Sequence, residues 1–354
     1  MTAGDPAPAE TVPCPSCGWP VRPGDNFCEA CQTELAPAVV SGQLPRTAVC
    51  PSCQSAEITP DGYCASCGRR VPSSRDHTEI DLGLVAGVTD RGLRHHRNED
   101  AMALATAELP GGPVAMAVVC DGVSTTRRPD EASLAAAQAA VRVLLAAART
   151  GGDLAEASRN GVAAARDAVI ALEDRPADGP LDPPSATFVS AVMTSEAVTL
   201  CWLGDSRGYW LGAGSAAQRL TRDDSVAGEM VAAGLLSEDE ALALPQAHVV
   251  TGWVGADLGG AAPHVARFEP PGPGVLLLCS DGLWNYQPEA ARLAEMALPG
   301  ALTDPLAAAG TLVSFALASG GMDNITVVLA PYPPQPRSPG SHDEPEEQPA
   351  DEPS

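Results

Sequence analysis

Two sets of side chains in this sequence have the types and spacing to do chemistry. Eight of the eleven cysteines fall in the first 70 residues as four C-x-x-C pairs, Cys14/Cys17, Cys28/Cys31, Cys50/Cys53 and Cys64/Cys67. Ten residues separate the pairs within each half, and the second half repeats the first at an offset of 36, an internal duplication. A C-x-x-C turn aims two thiolates at one centre, and two such turns complete a tetrahedral four-sulfur site. No open ligand position is suggested, so each half reads as a structural zinc site. The other set is acidic. Cys120-Asp121-Gly122 and Ser280-Asp281-Gly282 each close an apolar run, Gly321-Met322-Asp323-Asn324 opens the last one, and Asn98-Glu99-Asp100 precedes an early one. Carboxylates at strand tips beside small residues can converge on metal held at a sheet edge, and hard oxygen ligands in this number suit Mg2+ or Mn2+ rather than zinc. Taken singly, Asp-Gly is a turn signal; the order and spacing of the set favour the metal.

Such residues need elements to hold them. Apolar runs predict strands over 84–89, 113–120, 187–193, 197–203, 208–211, 249–254, 274–279 and 325–329. Long alanine-rich helices are predicted over 130–149 and 154–173, with shorter ones over 226–233, 238–244, 288–296 and 305–319. Two long helices in succession between groups of strands favour α+β with antiparallel sheets over a doubly wound parallel fold. Cys120, Cys201 and Cys279 fall on strand positions and read as small core residues. Trp202, Trp210, Trp253 and Trp284 read as core anchors, His248 as packed, and His264 and His342 have no recognisable context.

The first segment, from about Pro13 to Arg70, resembles a double zinc-ribbon module. It has too few apolar residues for a core of its own, which makes zinc the source of its folding energy. Redox or disulfide readings of the C-x-x-C pairs lack the strand–helix context they require.

The remainder resembles the metal-dependent serine/threonine protein phosphatases of the PPM family. Seven segments match in family order: G-V-T-D-R-G-L-R-H-H-R-N-E-D-A (87–101), V-V-C-D-G (118–122), S-A-T-F (185–188), G-D-S-R (204–207), L-T-R-D-D-S (220–225), L-L-L-C-S-D-G-L-W (276–284) and G-G-M-D-N-I-T-V-V (320–328). The resemblance implies a central β-sandwich of two antiparallel sheets flanked by helices, with a metal site at one end. It implies that Asp121 bridges two ions beside the Gly122 carbonyl, that Asp281 and Asp323 bind one of them, and that Glu99 and Asp100 lie near the other. Asp182 is a candidate for the acid of a third, weaker site, and equally a solvated loop aspartate; Asp205 and Arg207 read as structural partners. Two divalent ions would offset the acids around an anionic substrate and activate a water for attack on phosphorus. No C-x5-R phosphate loop is present, so a cysteine nucleophile is not expected.

Two departures from the family stand out. Val123-Ser124-Thr125-Thr126 replaces the expected glycine after Asp121-Gly122. His95 occupies the usual position of the phosphate-contacting arginine, with Arg94 and Arg97 close by. Either an arginine reaches the phosphate, or His95 donates to the leaving oxygen, or this is a solvated basic turn.

The whole chain has 354 residues, no lysine and a formal net charge of -24. That charge excludes a broad electrostatic grip on nucleic acid or an anionic membrane. The expected organisation is a disordered 1–12, the double ribbon at 13–70, a linker at 71–82, the phosphatase-like domain at 83–331 and a disordered acidic, Pro-rich tail at 332–354. The first 70 residues hold seven acids against four arginines and no basic–aromatic stripe, which favours protein docking over nucleic-acid binding. No secretory signal and no apolar run of about 20 residues is read, which with clustered cysteines points to a reducing cytoplasm. The expectation is a Mn2+- or Mg2+-dependent phosphatase acting on phosphoproteins made by a serine/threonine kinase, with two structural zinc ions. A scaffold of the same shape with little turnover, binding partners through its ribbons, is the alternative.

Overall fold

The computed structural model describes residues 12–13, 20–21, 30, 40–41, 49–50, 52–59, 62–173, 182–256 and 262–335. In chain order, β1 (Val12–Pro13) and β2 (Pro20–Val21) pair antiparallel. They are followed by β3 (Val40–Ser41), β4 (His77–Asp81), β5 (Ala86–Asp90), β6 (Asp100–Leu109) and β7 (Gly112–Asp121). Helices α1 (Pro129–Thr150) and α2 (Leu154–Ile170) come next, then β8 (Ser185–Ala186), β9 (Phe188–Met193), β10 (Val198–Leu203), β11 (Arg207–Gly212) and β12 (Gln218–Arg219). The rest is α3 (Val226–Ala232), α4 (Glu238–Leu242), β13 (Val254–Gly255), β14 (His264–Phe268) and β15 (Gly274–Cys279). The last elements are α5 (Asp281–Trp284), α6 (Ala290–Ala301), α7 (Pro305–Ala318) and β16 (Ile325–Tyr332).

Two six-stranded antiparallel sheets, ordered β14-β10-β9-β7-β6-β3 and β12-β11-β15-β16-β5-β4, pack face to face. Between them lies one apolar layer that includes Met102, Leu104, Val119, Leu200, Leu276 and Val328. The outer face of the first sheet is covered by α1 and α2, and that of the second by α6 and α7. Central strands are thus apolar on both faces, which is why β15 reads as an unbroken Val275-Leu276-Leu277-Leu278-Cys279 run instead of alternating. Cys120, Cys201 and Cys279 are all fully buried in these layers, as expected. The expected α+β sandwich is the fold observed.

Helix α1 shows how local sequence sets an element. Pro129 occupies its first turn with Asp130 and Glu131, Arg149 its last, and Gly151 caps it in the left-handed region. By length and composition α1 is apolar enough to cross a membrane, contrary to the reading that no such run exists. Here it packs against β6, β7 and α2, with Ala136, Ala137, Ala140, Val141 and Leu144 wholly buried.

Three expectations need correction. The linker at 71–82 is part of the domain: His77–Asp81 forms an edge strand paired with β5, and Arg75, only 7% exposed, donates to the carbonyls of Asp100 and Asp130. Its polar, alternating sequence reads as a loop because an edge strand needs only one apolar contact, Ile80. The strand expected at 249–254 shrinks to Val254–Gly255, paired with β8, and an isolated bridge from Val250 to Ser225. Strand β14 was not anticipated, and β16 continues to Tyr332, past the expected start of the tail. The tail from 336 onward and Cys14, Cys17, Cys28 and Cys31 lie outside the described residues.

Candidate functional site

Sheet register gathers the acidic motifs at one end of the sandwich. Asp100, opening β6, lies opposite Asp121, closing β7. Arg207, opening β11, lies opposite Cys279, closing β15, which sets Gly204-Asp205-Ser206 beside Ser280-Asp281. Strand β16 starts at Ile325, just after Asp323, opposite Asp90 at the end of β5.

Hydroxyls and main-chain groups then fix each acid. Asp100 Oδ2 accepts from Ser280 Oγ and Thr326 Oγ1, both at 2.7 Å. The Asp121 amide donates to Thr187 Oγ1 at 3.1 Å, and the Thr187 amide returns a bond to the Asp121 carbonyl. At Gly122 a side chain is excluded, because a Cβ would stand 2.3 Å from the Pro129 carbonyl oxygen. Gly92 likewise has φ +72° and would set a Cβ 2.1 Å from the Asp323 carbonyl oxygen, which ties the 91–97 loop to the Asp323 turn. Asn324 closes that join: its Oδ1 accepts from the Glu99 amide, and its Nδ2 donates to the carbonyls of Arg91 and Arg97.

Beneath the acids lies a buried polar support. The Arg207 guanidinium binds both carboxylate oxygens of Asp223 (2.6 and 3.0 Å) and stacks 3.6 Å from the Trp284 ring. Trp284 Nε1 donates in turn to the Asp205 carbonyl at 2.9 Å. Asp224 accepts from the Gly204 amide and pairs with His264 Nε2 at 2.7 Å, while His264 stacks on Trp202. His264 therefore has the structural context that the sequence did not reveal. Trp202, Trp210 and Trp284 are buried as expected, Trp253 is half-buried, and His248 is exposed with its ring stacked on Trp284.

The electrostatics are those of anions that lack a counter-cation. Loss of water raises the Asp100 carboxyl to about 6 and Asp205 to about 7, with Asp323 and Asp223 respectively adding repulsion. Asp121 and Asp281 are held well above the usual carboxylate range, first by desolvation; repulsion from Asp100, Asp281, Asp323 and Asp205 adds to this at Asp121, and repulsion from Asp205, Asp323 and Asp100 at Asp281. Asp323 differs: burial would raise it, but its 3.1 Å contact with His95 Nε2 brings it below its ordinary value and raises the imidazole. Asp100 Oδ1 and Asp281 Oδ1 are buried with no hydrogen-bond partner. Unpaired buried carboxylate oxygens are expensive without a cation, so the donor set fits divalent metal ions with oxygen preference.

The other expected residues divide. Glu99 is buried with protein partners, Arg97 Nε at 2.9 Å and Ser124 Oγ at 2.5 Å. Ser124 thus shows what the Val123–Thr126 departure does: the loop tethers Glu99. Arg97 is further paired with Asp130, whereas Arg94 is exposed and makes no ion pair among the described residues. Asp182 is exposed and bridges Thr126 through its main chain, its carbonyl accepting from the Arg127 amide. The strongest charged neighbour of Asp281 is instead Asp205. Ser280 and Thr326 were overlooked as well, although both stand in the segments that signalled the site.

The second cysteine set forms a separate centre. One ligand atom each from Cys50, Cys53, Cys64 and Cys67 lie within 4.8 Å of one another, with Sγ separations of 3.4 Å (Cys53–Cys64) and 3.6 Å (Cys50–Cys67). Zinc–sulfur bonds of about 2.3 Å in a tetrahedron put sulfurs roughly 3.8 Å apart, so the thiols are spaced for one ion. For Cys64, burial opposes ionisation, yet the Cys67 and Ser66 amides and neighbouring thiols bring its pKa down to about 6. Among the described residues, Cys50, Cys64 and Val71, with the partly buried Ile58, make up the core of this unit.

Comparison with known proteins bears on the sandwich and on the first cysteine set. Residues 93–302 match the protein phosphatase 2C family model and residues 10–35 a zinc-ribbon domain. The serine/threonine phosphatase stp of Listeria welshimeri is 29% identical over 249 residues, covering 68% of this chain and 92% of its own. Among solved structures, the PPM Ser-Thr phosphatase MsPP of Mycobacterium smegmatis, in complex with cacodylate, is 28% identical with a TM-score of 0.54, covering 70% of this chain and 97% of its own. The catalytic domain of the phosphatase PstP, in complex with two manganese ions, is 26% identical with a TM-score of 0.54 over 70% of this chain and 97% of its own.

Proposed function

The chain belongs to the protein phosphatase 2C family, and on that premise we propose how its residues divide the work of a metal-dependent serine/threonine protein phosphatase. Asp121, the Gly122 carbonyl, Asp281, Asp323 and Asp100, with Glu99 beside Asp100 in the chain, would hold two Mn2+ or Mg2+ ions, Asp281 and Asp323 serving one and Asp100 and Glu99 the other. For a third, weaker site Asp205 is better placed than Asp182, because it adjoins Asp281 in charge and in strand register. Bound divalent ions supply positive charge for the phosphoryl oxygens and make a water nucleophilic at neutral pH.

The chain's own groups do the remaining work. Ser280, Thr326 and Thr187 hold Asp100 and Asp121 so that little reorganisation is needed when phosphate arrives. Arg94, exposed and without an ion pair among the described residues, is the cation available to a phosphate monoester. His95 is held on Asp323 with raised proton affinity, in position to donate toward the leaving serine or threonine oxygen. Arg97 is engaged by Glu99 and Asp130 and positions the loop. Substrates would be phosphoproteins of a serine/threonine kinase. The ribbons would bind one structural zinc per four-cysteine set and dock protein, and the free cysteines suit a reducing cytoplasm.

The observation that carries this reading is the pair of buried, unpartnered oxygens on Asp100 and Asp281 amid mutually repelling acids. The test is hydrolysis of a phosphothreonine peptide by the full chain with and without Mn2+. Metal-dependent release of phosphate, lost in Asp281→Asn, is expected; no release with Mn2+ would leave only a scaffold.

A further inference from the structure

The second ribbon does not hang free of the catalytic domain. Its Tyr63 hydroxyl lies 2.9 Å from His96 Nδ1, with the two rings edge to face at 5.6 Å. Arg70, which pairs with Tyr63 across the ribbon's isolated bridge, donates from Nε and Nη2 to the His96 carbonyl, both at 3.3 Å. The same guanidinium pairs with Asp76 at 2.6 Å. Asp76 accepts the Arg91 amide, and Arg91 Nη1 donates to the carbonyl of His95. The ends of the 91–97 loop are held from inside the domain, by Asn324, Gly321 and Asp90. The outer side of its tip, at His96, is held from the ribbon.

We propose that Tyr63 and Arg70 are positioning residues for phosphate binding: the second zinc ribbon clamps His96 and thereby fixes the loop that carries Arg94 and sets His95 on Asp323. This rests on the phosphatase reading given above. With a core of three buried residues, two of them cysteines, the ribbon keeps its shape only with zinc bound. Zinc occupancy at Cys50, Cys53, Cys64 and Cys67 is therefore coupled to the order of the phosphate-facing loop, and the ribbon is part of the active-site wall as well as a docking module.

The experiment compares the full chain with Tyr63→Phe, which removes one hydrogen bond, and Cys67→Ser, which removes a zinc ligand. Zinc content is measured first: Tyr63→Phe should match the wild type and Cys67→Ser should lose one ion per chain. Amide hydrogen exchange, measured without Mn2+, should then show faster exchange at residues 93–97 in both variants, most in Cys67→Ser, with β7 and β15 unchanged. With Mn2+ saturating, KM for p-nitrophenyl phosphate should rise about fivefold in Tyr63→Phe while kcat holds within about twofold. His96→Ala should give a similar rise, and the double variant no more than either single one. This small substrate has no peptide to touch the ribbon, so a KM change confined to phosphopeptides would overturn the clamp in favour of direct peptide contact. Unchanged exchange at 93–97, or loosened exchange with unchanged KM, would also overturn it. A wild-type chain without Mn2+-dependent turnover would instead defeat the phosphatase reading, leaving the exchange result to decide the clamp.

Discussion

The two candidate metal centres of this molecule are built in opposite ways. At the ribbon, four sulfurs come within 4.8 Å of one another on a unit with almost no core, and two of the four cysteines are exposed. At the end of the sandwich, the acids stand on strand tips braced by two complete sheets and four covering helices. In the first case a bound ion would supply the folding energy; in the second the fold imposes the site and holds its acids together against their own repulsion. The teaching is that ligand burial, rather than ligand count, separates a metal that makes structure from one that does work.

The sharpest way to break that contrast is to neutralise an acid. Asp121→Asn should lower kcat/KM by on the order of a hundredfold to a thousandfold or more, measured on a phosphothreonine peptide with Mn2+. Its metal-free thermal midpoint should be no lower than that of the wild type, because a repelled carboxylate has been removed from among Asp100, Asp281 and Asp323. A large drop in midpoint would mean that the acids also hold the fold.

The converse is expected at the ribbon. Cys64→Ser should release one zinc per chain and abolish protection of residues 50–70 in hydrogen exchange, while the main thermal transition of the sandwich shifts by a few degrees at most. A sandwich that unfolds with the ribbon would erase the distinction between the two centres. Next in size is Arg94→Ala, which should raise KM about tenfold at nearly constant kcat, since one charge-assisted contact is worth about 1.5–3 kcal/mol. Arg97→Ala, which frees Glu99 and Asp130, should instead lower stability with a smaller kinetic effect.

The smallest effect concerns His77 on β4, where the polypeptide passes from one centre toward the other. Burial tends to lower its pKa, but hydrogen bonds to Asp90 and Glu79 outweigh this and raise it. A raised folded pKa gives stability that is fully present below the ordinary histidine range near 6.5 and lost as pH rises through the folded value. His77→Gln should therefore cost a few tenths of a kcal/mol at pH 5.5 and nothing measurable at pH 8.5, the side chain being half exposed. Urea melts at the two pH values would show it, and an equal loss at both would rule out a charge effect.

How legible all this was in sequence depended on distance along the chain. Asp121, Asp281 and Asp323 announced themselves because each sits with a glycine or turn residue at the end of an apolar run, a local signal. The sandwich was legible for the same reason: doubly buried strands leave long apolar runs, and α1 is marked by Pro129 at its start and Gly151 at its end. Asp205 carries the same local signal, following Gly204 at the end of an apolar run, but reads from sequence as a structural partner. Its place beside Asp281 follows from the pairing of Arg207 with Cys279, 72 residues away, and no spacing rule connects those segments. Asp182 reads equally as a third-site acid and as a solvated loop aspartate, because sequence offers only its nearness to Thr187, while at the site the neighbourhood is set by strand register. Arg75 was equally hidden, since a polar stretch after a ribbon looks like a linker until the carbonyls it serves are known.

Arg75 has a consequence for how the two halves can be joined or parted. Its guanidinium reaches the main chain of both Asp100 and Asp130, and β4 behind it supplies an edge of the second sheet. A cut at residue 82, where the polarity of the sequence invites one, would take a strand and a buried cation away from the catalytic half. These halves are therefore not interchangeable beads that recombination could swap at the polar stretch. The nearest tolerated joint lies upstream of Ser73, so a transplanted ribbon would have to bring its zinc but leave Arg75 behind.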